Sequence, residues 1–337
     1  MGTESSGLSG GHEGISRRGP EAQVAELLRK GKSFLICSHL NPDGDAIGSS
    51  LALAAFLEEE GKEVFLFNRD NVPPMYAFLT GASRVRQRLP EGQRFDATVL
   101  LDCATLERVG EELERFEGRG RMIIIDHHPP VDSPPGTVLI RTDAAATAEL
   151  LYEVFRSYGA HISPRTATAL YLGLMTDTGS FRFSNTTPKA LSVAAALVEA
   201  GADHGLVTRR IYEEFPPERF RLLARVLDTL TFFHEGKVAA VTVTRRMLDS
   251  TGAGHELTEG FVDYPRSIRG VEVAVLFREV DEQQYRVSLR SRGRVDVGRI
   301  AQIFQGGGHP NAAGCTLWGD HSAVQEQVMS HLKEVLE

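Results

Sequence analysis

FLICSHLNPDGDAIGSS, residues 34–50, decides how this chain is read. Residues 34–37 are a continuous apolar run that stops at Ser38. His39, Asp43 and Asp45 follow at once, with Pro42 and Gly44 forcing a turn among them. Beyond Asp45 the apolar positions Ile47, Leu51, Ala54 and Ala55 recur at helical spacing. The stretch reads as a strand, a sharp loop and a helix, with one imidazole and two carboxylates at the strand's carboxyl end. Open α/β sheets bind their ligands at that end. The plainer alternative is an Asx-rich turn capping a helix, in which Asp43 and Asp45 only satisfy backbone donors.

The same ending recurs further along. Residues 64–67 make a second apolar strand, 97–101 a third that stops on Asp102, and 122–125 a fourth that stops on Asp126, His127 and His128. Continuous apolar strands separated by helical stretches specify a parallel sheet covered on both faces, an α/β fold. Asp177 follows a helical segment over 165–176. One strand-end Asp reads as a helix cap. Three strand ends, one carrying two carboxylates and another a histidine pair, are hard to assign to capping.

A chain of 337 residues suggests about two domains. Residues 1–20, rich in Gly and Ser, read as a disordered tail without the apolar core of a signal peptide. Residues 21–203 form the parallel-sheet domain, and 204–230, helical but broken at Pro216 and Pro217, a helical linker. Residues 231–337 form a smaller α/β domain, with strands over 238–244, 271–280, 285–290 and 315–318 and helices over 297–304 and at the end. No apolar run is long enough to span a bilayer. Cys37, Cys103 and Cys315 are far apart and lack CxxC spacing, as free thiols in a reducing, cytoplasmic setting would be. A net charge of −8 argues against a long footprint on duplex nucleic acid. Metals and a local arginine cluster can still hold a short anion.

His39, Asp43, Asp45, Asp102, His127 and Asp177 supply four carboxylates and two imidazoles. That is too many for one tetrahedral zinc, and no thiolate set accompanies them. The mixture suits two divalent ions, Mn²⁺ first by ligand type, with Mg²⁺ or Co²⁺ as alternatives. Two such ions can activate a shared hydroxide and clamp an in-line displacement at phosphorus. His128 would lie beside them, able to reach a phosphate oxygen or the leaving group; its plainer role is a hydrogen bond that orients a ligand. Cys103 reads as a small buried residue.

In the second domain GGGHPNAAG, residues 306–314, offers backbone N–H groups that can converge on an anion, with His309 as a side-chain donor. A tight structural turn is the alternative. Along 285–290, Arg286, Ser288 and Arg290 face away from Tyr285, Val287 and Leu289. Arginine forks suit phosphate, though a solvated outer face explains them too. Phe181 and Phe183 alternate after Asp177 and read as core more readily than as stacking partners for a base.

Taken in order, H-x3-D-x-D (His39, Asp43, Asp45), Asp102, the triplet 126–128, Asp177 and then GGGHPNAAG resemble the DHH/DHHA1 phosphoesterases from about residue 22 onward. The resemblance implies a first domain holding two Mn²⁺ and a second that closes over them to hold substrate. It implies one ion on His39, Asp43 and Asp102 and another on Asp45, Asp102, His127 and Asp177, which makes Asp102 the bridge. Asp102 and His128 would be catalytic, and Asp126 would orient a histidine. Ser288, Arg290, Gly307, Gly308, His309 and Asn311 would bind substrate.

Within the family the chain is short for a RecJ-like exonuclease. It lacks the Ser-Arg-Lys-Lys-Gln motif of family II pyrophosphatases and the membrane region of cyclic-di-AMP phosphodiesterases. It is similar to the stand-alone oligoribonuclease and pAp phosphatase branch, through VDYPRSIRGVEVAVLF over 262–277 among other stretches. The implied activity is Mn²⁺-dependent hydrolysis of short oligoribonucleotides to 5′-mononucleotides, and of pAp to AMP. A soluble phosphodiesterase for cyclic dinucleotides or pApA, and a nucleotide-binding module without catalysis, are the alternatives. The implied partners are short single-stranded RNA, dinucleotides and nucleoside bisphosphates, with no membrane and no duplex DNA; a homodimer is compatible with this reading.

Overall fold

Residues 19–129 and 134–336 are described by the computed structural model. Of the tail expected over 1–20 only Gly19 and Pro20 fall within them, and Pro20 already opens a helix. The described residues form two compact units. One comprises the residues up to Val72 with Leu79–His204, and the other Pro73–Phe78 with everything from Gly205 onward.

The first unit runs α1 (Pro20–Lys30), β1 (Ser33–Ser38), α2 (Gly44–Glu59), β2 (Glu63–Phe67), β3 (Ala97–Leu101), α3 (Glu111–Arg115), β4 (Arg121–Asp126), β5 (Thr137–Ile140), α4 (Thr147–Tyr158), α5 (Pro164–Asp177) and α6 (Pro188–Glu199). Its strands make one sheet in the order β2-β1-β3-β4-β5, parallel throughout. Phe34–Cys37, Val99–Leu101 and Ile123–Ile125 have no exposed surface, as strands covered on both faces require. The register matters more. Ser38 pairs with Leu101, and Leu101 with Ile125. The next residues, His39, Asp102 and Asp126, therefore fall in one row, Asp126 still paired with Ile140 of β5 and His127 following it out of the sheet.

Helix α2 is buried from Gly44 to Leu57 because it is wedged against α5. A Cβ on Gly48 would lie 2.5 Å from the Ala169 carbonyl oxygen, and one on Gly173 would lie 2.6 Å from Asp45 Oδ1. The two glycines let the helix backbones touch. That contact brings Asp45, in the first turn of α2, and Asp177, at the end of α5, toward each other.

The second unit runs α7 (His204–Thr208, across the division), a π-helical turn (Arg209–Glu213), α8 (Pro217–Leu227), β6 (Thr231–Phe233), β7 (Val238–Val243), α9 (Arg245–Thr251), α10 (Asp263–Arg266), β8 (Val273–Asp281), β9 (Gln284–Ser291), α11 (Val297–Ile303), β10 (Gly307–His309), β11 (Ala312–Trp318) and α12 (His321–Leu336). The sheet order is β10-β11-β9-β8-β7-β6, antiparallel except for β7 with β8. Its two faces are covered unequally. Val287, Leu289, Ala313, Cys315 and Leu317 are sealed on one face by residues of α11 and α12. On the other face Val241, Val243, Ala274 and Leu276 are sealed by α8, α9 and the segment around Phe261.

Two expectations change here. Much of 204–230 is core: Leu222, Leu223 and Val226 of α8 pack into the second unit. The glycine loop is a short edge strand in which Gly307 pairs with Gly314 and Gly308 with Ala313, so part of its backbone is committed to the ladder and not to an open anion nest. Among the described residues no single helix is long and apolar enough to cross a membrane.

Candidate metal centre

The loop after β1 is fixed before it carries chemistry. The buried Asn68 amide donates to Ser38 Oγ and to the His39 carbonyl, both at 2.9 Å, and the Leu40 amide donates to Arg108 O at 2.7 Å. Asp43 is the N-cap of α2: its Oδ1 accepts from the amides of Asp45 (3.1 Å) and Ala46 (3.0 Å). The capping role set against a ligand role in the sequence is therefore real. It does not exclude the other, because a carboxylate has further lone pairs to offer.

His39 pairs its Nδ1 with the Leu40 carbonyl at 2.8 Å, which directs Nε2 at Asp102 Oδ2 (3.3 Å) and Asp43 Oδ1 (3.9 Å). His127 repeats the pattern with Nδ1 on the Ala144 carbonyl at 3.3 Å. Its Nε2 lies 3.5 Å from Asp102 Oδ1, 3.6 Å from Asp177 Oδ2 and 3.9 Å from Asp45 Oδ2. In both residues a backbone carbonyl anchors one ring nitrogen and carboxylates surround the other, the arrangement by which histidine ligands are held.

Asp102 stands at the centre. It is 1% exposed and holds a left-handed backbone, φ +61°, unusual for a residue with a side chain. Its Oδ1 accepts from Thr147 Oγ1 at 3.0 Å, while Oδ2 is buried with no well-formed hydrogen bond. Asp45 is held by α4, whose N-cap position is an alanine, Ala146, with no side chain to offer. The amides of Thr147 (2.6 Å) and Ala148 (3.0 Å) donate to the two oxygens of Asp45, and Ser49 Oγ adds a third bond at 3.0 Å. A carboxylate from another helix thus caps α4, and α4 in return fixes that carboxylate.

The ionisation pattern follows from burial and crowding. Desolvation pushes the Asp45 carboxyl well up, and the neighbouring charges of Asp102 and Asp177 add to it. Burial would also raise Asp102, but the bond from His39 and the charges of His128 and His127 hold it well below the usual carboxylate range. For His39 burial is outweighed by the same bond and by the Asp43 and Asp102 charges, raising it to about 9. Burial is likewise outweighed at His127, which is raised by Asp102 and Asp45.

These donors fit divalent cations. Two groups converge, His39 with Asp43 and Asp102, and Asp45 with Asp102 and His127, their ligand atoms within 4.8 Å of one another. The separations of 3.3–3.9 Å exceed good hydrogen bonds yet suit atoms that share an ion. The buried Asp102 Oδ2 lacks the partner that a cation would supply.

All six residues singled out in the sequence meet here, and their neighbours fall nearby. Asp126 Oδ1 accepts from the His128 amide (3.1 Å) and pairs with its Nδ1 (2.7 Å). Cys103 is fully buried in the apolar cluster behind the site. Thr147, Ala148, Ser49 and Asn68 escaped the sequence reading. For α4 the reason is plain: a helix start announces itself by Ser, Thr, Asp or Asn at the cap, and here the cap comes from residue 45.

In the second unit Arg290 pairs with Ala312 and Ser288 with Gly314, on the face away from α11 and α12. His309 pairs with the same Ala312, so Arg290 and His309 flank one small residue on adjacent strands. Asn311 lies in the turn between β10 and β11, its carbonyl accepting from the Ser291 amide at 2.9 Å. A Cβ on Gly308, where φ is +137°, would run into the Ala312 carbonyl, whereas one on Gly307 meets nothing within 4 Å.

A parallel sheet that ends three strands on buried Asp and His, followed by a mixed-sheet domain, defines a class: two-domain α/β proteins with a candidate metal centre at the strand ends. Comparison with known proteins gives the family. The DHH family N-terminal domain matches residues 33–174 and the DHHA1 domain residues 236–337. The chain belongs to the DHH family and is a phosphoesterase. It is 36% identical over 319 residues to a bifunctional oligoribonuclease and PAP phosphatase of Thermus thermophilus, covering 93% of each chain. A Bacillus subtilis protein with the same description is 28% identical, over 90% of this chain and 95% of that one. Among solved structures, an exopolyphosphatase-related protein from Bacteroides fragilis superposes with a TM-score of 0.86 at 27% identity, over 94% of this chain and 98% of that one.

Proposed function

We infer that this enzyme hydrolyses short oligoribonucleotides to 5′-mononucleotides and removes the 3′-phosphate of pAp. One observation carries the reading: six side chains, Asp102 among them, gather around the Nε2 atoms of His39 and His127 at separations that fit a pair of cations. The names of the Thermus and Bacillus relatives supply the substrate class. His39, Asp43 and Asp102 would hold one ion, and Asp45, Asp102, His127 and Asp177 the other, with Mn²⁺ favoured by the mixture of carboxylate and imidazole. Two such ions lower the pKa of bound water and neutralise charge gathering on a phosphate.

The remaining work belongs to the chain itself. Thr147 and Ala148 hold Asp45 in place, and Thr147 also fixes Asp102. Asp126 anchors His128 by Nδ1 and makes Nε2 the atom offered to a phosphate or leaving oxygen. Ser288, Arg290, Gly307, Gly308, His309 and Asn311 would bind the far part of the substrate, Arg290 through its fork. The buried free thiols of Cys37, Cys103 and Cys315 suit a cytoplasmic enzyme.

Steady-state rates with Mn²⁺ on oligoribonucleotides graded by length, together with pAp, pApA and cyclic di-AMP, test the proposal. Dinucleotides to pentanucleotides and pAp are expected to turn over fastest. A clear preference for the cyclic dinucleotide, or equal rates on a dinucleotide and a 24-mer, would overturn it.

A further inference from the structure

The second unit's sheet has a bare half-face of which the proposed chemistry uses only the end at Ser288 and Arg290. Apolar cover on that side stops at β8, where Ala274 and Leu276 are sealed by helices. The positions facing the same way on the next two strands are not sealed. Arg286 and Trp318 are exposed, and Ser288, Arg290, Ala312, Gly314 and Thr316 are half-buried. Pairing places them in rows: Arg290 beside Ala312, Ser288 beside Gly314, Arg286 beside Thr316 and Gln284 beside Trp318. The strip carries arginines along one strand and small residues along the other, and it ends in an indole that is 68% exposed.

A large aromatic left in water on a basic face points to a π-surface partner with a charged backbone. The charge agrees. Arg286 lies directly opposite Arg278 of β8, so two guanidinium groups share one row and concentrate positive charge there. Arg278 also keeps a buried Nε with no hydrogen-bond partner. Small residues along β11 let a sugar-phosphate backbone approach, as on other sheets that bind single strands.

We propose that this half-face is a single-stranded oligonucleotide path, from Arg290 past Arg286 to Trp318, where a base stacks on the indole. The proposal rests on the oligonucleotide reading of the function and adds a residue that senses length. Six residue steps along β11 take the chain from Ala312 to Trp318, about 20 Å. At roughly 3.4 Å per stacked nucleotide that is about six nucleotides, and fewer if the strand is extended. A dinucleotide held at Arg290 would not reach the indole; a hexanucleotide would.

The sequence has one tryptophan, so its emission reports this site alone. The full chain, with divalent ions chelated to prevent turnover, is titrated with oligoadenylates of two to eight nucleotides. Tryptophan emission and the anisotropy of a 5′-labelled strand are read together. Hexamers and octamers are expected to change the emission saturably and the dimer to leave it unchanged. Arg286→Ala is expected to raise the half-saturating hexamer concentration about five-fold or more and to reduce the salt slope by about one ion. Hexamer binding by anisotropy with unchanged emission would overturn the path while leaving the proposed function intact. Absence of binding by any oligomer would overturn both. An emission change that follows protein concentration without RNA would assign the face to a second copy of the chain instead.

Discussion

The Asp102 cluster and the β9–β11 face place candidate functional side chains by opposite means. In the first unit the chemistry is buried, and each group is held by several others: Asp45 accepts from Thr147, Ala148 and Ser49, and Asp102 sits in a left-handed backbone conformation. In the second unit the candidate residues stand on one side of a sheet whose other side is a finished core, and Arg290, Ser288 and Trp318 are set on that side by the pleat, Arg290 with one added bond from Nη1 to the Leu289 carbonyl at 3.1 Å. A buried cluster gains electrostatic strength and loses tolerance, because every neighbour is also a support. An open face tolerates change and gains affinity by accumulating contacts.

That contrast can be broken or sharpened by substitution, beginning where the effect should be greatest. Asp102→Ala removes the one carboxylate shared by both ligand groups and should cut turnover on every substrate by about a thousandfold or more, as for residues that act as a unit. Activity within tenfold of the parent would show that Asp102 is not shared. Gly173→Ala places a methyl 2.6 Å from Asp45 Oδ1 without touching a ligand's chemistry. We expect about 1–3 kcal/mol of lost stability by denaturant titration and roughly a 10–100-fold loss of metal affinity, the usual effect of a disturbed support.

Thr147→Val keeps the shape and removes the hydroxyl on Asp102. Its cost should be smaller, about tenfold in metal affinity, and should appear as a higher metal concentration for half-activation. On the second unit the pair Gly308→Ala and Gly307→Ala gives the smallest and most local effects. The first clashes with the Ala312 carbonyl at φ +137° and should cost about 1–3 kcal/mol. The second meets open space and should stay within about 0.5 kcal/mol of the parent.

The buried cluster also carries a pH signature. In the metal-free protein His39 titrates at about 9, above its unfolded value of about 6.5. Its stabilising contribution is therefore complete below about 6.5 and is lost as pH rises through about 9. A cation needs the neutral ring, so metal affinity should rise across this same window and binding at neutral pH should release protons. Calorimetry in buffers of different ionisation enthalpy measures that release, and buffer-independent heats would contradict it.

What the sequence disclosed follows the same division. Strand ends carrying His39, Asp102 and Asp126–His128 are local signals, and a parallel sheet with its residues in register delivers them to one row. The supports were not legible. Ala146 gives no sign of a helix start because Asp45, from a distant part of the chain, caps α4. Strand β5 is four residues at the sheet edge with one fully buried position, too short for a clear period. In the second unit the alternation of Arg286, Ser288 and Arg290 could be read, but the bare face could not. Which half of a sheet the helices leave open depends on α8 and α9, whose packing no single stretch announces.

Cation binding at the Asp102 cluster is tested most directly by the divalent metal content of active protein, freed of loosely bound ions and measured alongside its rate on a diadenylate. Two ions per chain, fewer than two in Asp102→Ala, and a rate that falls and returns as Mn²⁺ is stripped and restored are predicted. Full activity in a sample with no divalent ion, or two ions retained by the Asp102 variant, would contradict it.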